Sequence, residues 1–214
     1  MVVPSGAAAP PFFVMLGTPT YSKSLSVDYH QSAMETMYEL TRENIPWTTH
    51  IIAGKCYLDL ARNEIVEAFL ASPATDLFFI DADVGWDAKA VTRFLTYSQG
   101  VVAGLVPKRS ANCEGEFHQN ALTGVIEDGL FQSLEAPTAF MRIKREVFAR
   151  LKRPYFRTAS AEEDWGEDIY FCRRWCELGE WIWIDSDVTF SHRGDKVWKG
   201  NFYDHCKAAR LLRS

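Results

Sequence analysis

The stretch "DLFFIDADVGWDAKAVTRFL", residues 76–95, decides the fold. An apolar run from Leu77 to Ile80 ends abruptly in two carboxylates, Asp81 and Asp83, with Ala82 between them. Such a run, followed by a turn and a helical stretch, reads as a strand buried in a parallel sheet. Side chains alternate along a strand, so Asp81 and Asp83 are expected on one face and Ala82 on the other. Ligands of parallel α/β sheets bind beyond the carboxyl ends of the strands. Two like charges at that edge repel unless a cation or a proton offsets them, and carboxylate oxygens suit Mg²⁺ or Mn²⁺. The competing reading is an ordinary turn with both acids in water. A lone D-x-D pair does not choose between them.

The flanking sequence extends the pattern. "FFVML" (12–16), ended by Gly17 and Pro19, "WTTHIIAG" (47–54) and "GVVAGLVP" (100–107) read as strands. Helices are expected over 28–43, 60–72 and 88–97. In the second, Leu58, Ala61, Ile65 and Ala68 form one apolar face, and Asp87 is placed to cap the third. This βαβαβαβ alternation predicts an α/β fold, Rossmann-like, with a mainly parallel central sheet flanked by helices. From Phe117 the pattern changes. "VIEDGLFQSL" reads as a small antiparallel hairpin turning at Asp128-Gly129. A helix follows at 144–151, then a polar loop, a helix ending at Gly179 and one further strand in "EWIWIDSDVTFSHRG".

Composition sets the outer limits. At 214 residues one domain is expected, and 47% hydrophobic with 24% charged residues suits a globular protein with a full core. A net charge of -5 argues against a nonspecific nucleic-acid binder. The C-terminal stretch is nevertheless basic (Arg193, Lys196, Lys199, Lys207, Arg210, Arg213), which suits an anionic ligand. Five cysteines without recurring spacing argue against a disulfide framework and favour a reducing, cytoplasmic setting. The start lacks the basic region of a signal peptide, and no apolar run reaches the roughly 18 residues of a membrane span, so no integral membrane association is expected.

Three further features share the chain with the D-x-D pair. "WGEDIYFCRRW" puts Glu167 and Asp168 at a helix start, where acids ordinarily only complement the dipole. "IWIDSDVTFSHRG" places His192 just past a strand, where a lone histidine is ordinarily a surface residue. "VVAGLVPKRS" delivers Lys108 and Arg109 at a strand end, either a solvated loop or a phosphate site.

Taken in order, "FFVMLGTPTY", "ARNEIVEAFL", "FFIDADVGW", "APTAFMRIKREVFARL", "WGEDIYFCRRW" and "VTFSHRG" resemble the GT-A family of nucleotide-sugar glycosyltransferases over roughly residues 12 to 200. The chain is small for that family, as a compact viral or phage-encoded version would be, and Ala139 stands where the family often has glycine. The resemblance implies a hexosyltransferase with a nucleotide-sugar-binding half (about 12–110), an acceptor-side half (about 111–200) and a basic tail (201–214). It implies Asp83 and His192 as ligands of Mn²⁺ or Mg²⁺, with Asp81 on the ribose or a metal-bound water. Thr18, Pro19, Tyr21, Arg62 and Asn63 would then lie at the base pocket, with Ala82 inside the D-x-D segment. Tyr21 is placed to stack on uracil, so the donor is expected to be a UDP-sugar. Lys108, Arg109, Arg193, Lys196 and Lys199 would offset diphosphate charge. Asp168 would be the base of an inverting transfer and Glu167 a partner of acceptor hydroxyls; a retaining enzyme would use these acids differently. The acceptor is left open among a glycan, a protein, a small molecule and a modified base in DNA.

Three other readings of the function remain. A phosphatase of the haloacid dehalogenase type would use Asp81 as nucleophile and Asp83 as acid, but that family carries its motif on the first strand. Nucleotidyl transfer on a similar fold and a noncatalytic metal-dependent glycan-binding module are the others. Cys172 and Cys176, four apart on a helix, could hold zinc with His192 or His205, though buried cysteines on an apolar face are commonplace. Trp165, Trp181, Trp183 and Trp198 could form a stacking platform, with Trp181 and Trp183 reading rather as core.

Overall fold

Alternation along the apolar strands sorts the core into two layers, one on each side of a central sheet. The computed structural model describes residues 11–109, 117, 121–127, 129–159, 165–194 and 197–208. The chain runs β1 (Val14–Thr20), α1 (Val27–Arg42), β2 (Trp47–Ala53), α2 (Leu58–Ala71), β3 (Asp76–Ile80), β4 (Val84–Trp86), α3 (Lys89–Leu95) and β5 (Val101–Gly104). There follow β6 (Leu122–Glu127), β7 (Leu130–Ser133), β8 (Phe140–Lys144), α4 (Arg145–Arg150), α5 (Glu167–Cys176), β9 (Ile182–Asp185), β10 (Thr189–Arg193), β11 (Val197–Asn201) and α6 (Phe202–Ala208). Leu77 and Phe79 of β3 face a layer built with α2, α4, α5 and α6. Phe78 and Ile80 face the other, built with α1, α3, β4 and β10.

The large sheet has the order β2-β1-β3-β8-β5-β9-β7-β6. β1, β2, β3, β5, β6 and β9 run one way, and β7 and β8 run against them. This is a mainly parallel α/β sheet, with the expected β6–β7 hairpin at one edge; Gly129 takes a positive φ of 78° in its turn, and Asp128 lies outside the described residues. A second, antiparallel sheet has the order β11-β10-β4. Among the described residues no helix is long and apolar enough to cross a membrane.

Several expectations shift in detail. β1 does not stop at Gly17; it continues through Pro19 to Thr20, pairing there with β2 alone. Gly17 serves close approach instead, because a Cβ there would lie 2.6 Å from Ile65 Cγ2 of α2. β8 inserts antiparallel between β3 and β5, although "FMRIK" carries a charge where a buried strand should be apolar. The last expected strand is two, β9 and β10, in different sheets. Helix α6 sinks Phe202 and Cys206 into the core, so the start of the basic tail is structural.

Arg142 explains how β8 tolerates its charge. It is fully buried, with Nη1 3.3 Å from Asp76 Oδ1 of β3 and Nη2 donating to the Tyr97 carbonyl at 2.9 Å. Removing one partner strands the other charge away from water, at a cost of about 3–5 kcal/mol. Asp76→Ala should lower the unfolding free energy in urea by about that amount, and Asp76→Ala with Arg142→Met should recover most of it. Equal stability of the single and double variants would contradict this role.

Candidate active site

A cleft of about 790 Å³ opens beyond the carboxyl ends of β1, β3 and β5. The segment after β1 lines it with Tyr21, Ser22 and Ser24, the turn after β3 with Asp81, Ala82 and Asp83, the segment after β5 with Val106 and Arg109, and β10 with His192 and Arg193. Its location is the one expected for ligands of a parallel α/β sheet.

The two acids do not share a strand face as expected. β3 ends at Ile80, and Asp81–Asp83 form a turn closed by the Val84 N–H donating to the Asp81 carbonyl at 3.1 Å. Each carboxylate therefore finds its own partners. Asp83 Oδ1 lies 3.6 Å from His192 Nε2, and its Oδ2 accepts from Arg109 Nη1. His192 Nδ1 lies 2.7 Å from the Pro107 carbonyl oxygen. A carbonyl only accepts, so Nδ1 carries a proton, and this contact turns Nε2 toward Asp83. Burial alone would raise the Asp83 carboxyl. The hydrogen bond to His192, the His192 charge and the Arg109 guanidinium outweigh it and hold the carboxyl below its ordinary range.

Donors at adjacent corners of an octahedron around Mg²⁺ stand about 3 Å apart, so a carboxylate and an imidazole at 3.6 Å fit one such ion with small adjustment. The donor types, oxygen with imidazole nitrogen, suit Mn²⁺ as well. Among the described residues no group of three His, Cys, Asp or Glu side chains gathers to hold a metal. The protein would thus offer an incomplete shell, with room for ligand oxygens.

Asp81 belongs to a second cluster. Arg62, only 2% exposed, donates from Nη2 to Asp81 Oδ1 at 3.1 Å and from Nε to Glu167 Oε1 at 3.0 Å. Burial weakens a guanidinium's hold on its proton, but Asp81, Glu167 and Asp168 outweigh it and raise the Arg62 pKa further. Asp168, at the start of α5, accepts from the Ile169 N–H at 2.8 Å. Burial and then the Glu167 charge push its pKa up to about 6, against the lowering by that N–H and by Arg62.

A scan against models of known protein families and a search of curated proteins both found no match. Solved structures do match. A197 from STIV aligns with a TM-score of 0.55 at 20% identity, over 86% of this chain and 86% of that one. TarS (1–349) of S. aureus, in complex with UDP-GlcNAc, aligns with a TM-score of 0.50 at 12% identity, over 80% of this chain and 55% of that one. The fold is GT-A-like. At these identities the likeness concerns the fold.

Within this GT-A-like fold the expected residues divide. Pro19, Ala82 and Tyr21 line the cleft, and Tyr21 is 71% exposed and available for stacking. Thr18 is not available: it is fully buried, with Oγ1 2.6 Å from the Tyr29 hydroxyl. Asn63 is spent on structure, its amide donating to the Asp59 and Phe156 carbonyls and accepting from the Tyr155 N–H. Lys108 follows β5 beside Arg109, half-buried. Lys199 pairs with Ser191, so alternation turns it away from His192 into a separate cleft with Asp28 and Glu35. Lys196 lies outside the described residues. Trp183 and Trp198 are buried, and Trp165 stacks on Tyr170. The sulfur atoms of Cys172 and Cys176 approach the Ala136 and Leu134 carbonyls, His192 faces Pro107 and Asp83, and His205 packs against Phe117 and Phe202, so among the described residues neither histidine joins the cysteines in a zinc site.

Two contacts had no sequence signal. Arg193 Nε donates to Asp28 Oδ2 at 2.9 Å, and the Ser26 N–H donates to the Ala82 carbonyl at 2.8 Å, joining the start of α1 to the acidic turn. Both link segments far apart in the chain.

The raised pKa of Asp168 has a signed consequence. Its folded value of about 6 exceeds the ordinary 3.8, so its contribution to stability is complete below about pH 4 and is lost as the pH rises through 6. Shifts of this size correspond to roughly 1.4 kcal/mol per unit, about 3 kcal/mol in all. Asp168→Asn should therefore be more stable than the parent chain at pH 8, with the gap closing toward pH 4. A variant less stable at pH 8 would mark Asp168 as a required helix cap.

Proposed function

We propose that this chain transfers a sugar from a nucleoside diphosphate sugar, a UDP-sugar, to an acceptor hydroxyl with inversion. The observation that carries the reading is the arrangement at the cleft. The Asp83–His192 pair, with Arg109 beside it, lies within the cleft, and Asp168, an acid of raised proton affinity, stands near enough to Asp81 of the cleft wall to feel its charge. The GT-A-like fold supports it, and so does the TarS structure, described as a complex with UDP-GlcNAc.

The chemistry follows from what each group does. The acceptor oxygen attacks the anomeric carbon as the bond to the diphosphate oxygen breaks. Asp168, ionised above about pH 6, takes the hydroxyl proton; a base titrating near the working pH combines the correct charge state with adequate strength. Glu167, held by Arg62, hydrogen-bonds acceptor hydroxyls with its remaining oxygen. Tyr21 stacks on the base from the rim of the cleft. Asp83 and His192 would hold the cation, which would offset the charge that develops on the leaving diphosphate. Arg109 and Arg193 line the same cleft and add to that stabilisation.

Binding and turnover separate these roles. Asp83→Ala should fold normally and lose Mn²⁺-dependent UDP binding in calorimetry, and the parent chain should bind UDP more tightly than GDP or CMP. Asp168→Asn should keep donor affinity while turnover falls about 10²–10⁴-fold, the contribution of a general base. Normal metal-dependent UDP binding by Asp83→Ala would reject the cation site. Normal turnover by Asp168→Asn would move the base elsewhere.

A further inference from the structure

We infer that Arg109 is a resident counter-cation of Asp83, which a divalent ion and a nucleoside diphosphate displace together. The inference rests on the reading of Asp83 and His192 as a cation site. It concerns the order in which that site is filled.

The segment Pro107–Arg109 lies against both donors. The Pro107 carbonyl accepts from His192 Nδ1 at 2.7 Å, and Arg109 Nη1 donates to Asp83 Oδ2 and, at 3.3 Å, to the Arg193 carbonyl. The Arg193 N–H in turn donates to the Asp83 carbonyl at 2.8 Å. Arg109 thus occupies one Asp83 oxygen while His192 faces the other. The Arg109 and Asp83 side chains are 46% and 34% exposed. An ion pair so open to water is weak and reversible. It is a contact suited to exchange, unlike the buried contacts of Arg62.

A divalent ion arriving alone meets a carboxylate already neutralised and a guanidinium that repels it. A diphosphate arriving alone meets a guanidinium already engaged. Each ligand must break the same contact, and whichever binds first removes that cost for the second. The freed guanidinium then suits phosphate oxygens, which accept its paired N–H groups. Arg109 thereby couples the two ligands. Such coupling is reciprocal, typically 5–150-fold in either affinity.

The test needs no turnover. Mn²⁺ binding is measured by electron paramagnetic resonance, and UDP binding by calorimetry, each with and without the other ligand. The parent chain, Arg109→Met, Arg109→Lys and Asp83→Asn are compared. We expect Arg109→Met to bind Mn²⁺ alone about tenfold more tightly than the parent and to bind UDP with Mn²⁺ more weakly. The mutual enhancement should shrink by a comparable factor. Arg109→Lys keeps a cation at Asp83 and should retain the weak parental affinity for Mn²⁺ alone. Unchanged or weaker Mn²⁺ binding by Arg109→Met, with Asp83→Asn losing the binding that the parent shows, would overturn the inference and leave the cation site standing. Mn²⁺ binding that persists in Asp83→Asn would overturn the site itself, and the inference with it.

Discussion

The short pairing of β4 with β10 is the contact on which the site depends. Val84 lies opposite His192, and the backbone on either side of that step ties Arg193 to Asp83. Without it, Asp83 would leave β3 as a solvated turn residue and His192 would end a strand far away in the chain. The pairing is held from below. Phe190 of β10 packs 5.0 Å from Phe140, Trp86 of β4 packs 5.8 Å from the same ring, and Trp86 Nε1 donates to Thr36 of α1 at 2.9 Å. Gly104 at the end of β5 leaves the room: a Cβ there would fall 2.3 Å from the Phe190 ring. A small residue in one sheet thus sets the seat of a strand in the other, and that strand sets the distance between a carboxylate and an imidazole.

Charge is distributed on the same plan. A single buried guanidinium, Arg62, serves Asp81 and Glu167 by direct contact and reaches Asp168 only through space. The two acids it touches are compensated. The third keeps a raised proton affinity and is the one suited to accept a proton near neutral pH. Arg62 is also the link between the turn after β3 and the start of α5, two segments far apart in the chain that share one cation.

The sequence made the strands and the cleft legible where local pattern is strong. The apolar run ending at Ile80, the alternation of strands and helices up to Gly104 and the Asp128-Gly129 turn signal all pointed to elements that form. β4 escaped notice because three residues carry no period, and β8 because Arg142 interrupts an otherwise apolar stretch. The assumption that Asp81 and Asp83 share a face failed because the strand ends one residue before them. Thr18 and Asn63 looked available from their places after a strand and on a helix. Their engagement with Tyr29 and with the backbone of residues 155–156 is tertiary, and nothing local encodes it. The same holds for Lys199, whose face on β11 follows from its register with Ser191.

The central claim is that Asp83 and His192 together hold the cation that binds the donor diphosphate. It is tested most directly by anomalous scattering at the manganese edge, from crystals grown with Mn²⁺ and UDP. The account predicts one strong peak within coordination distance of Asp83 and His192, with diphosphate oxygens completing its shell. UDP bound in the cleft with no peak at that pair, or a peak held by other residues, would contradict it.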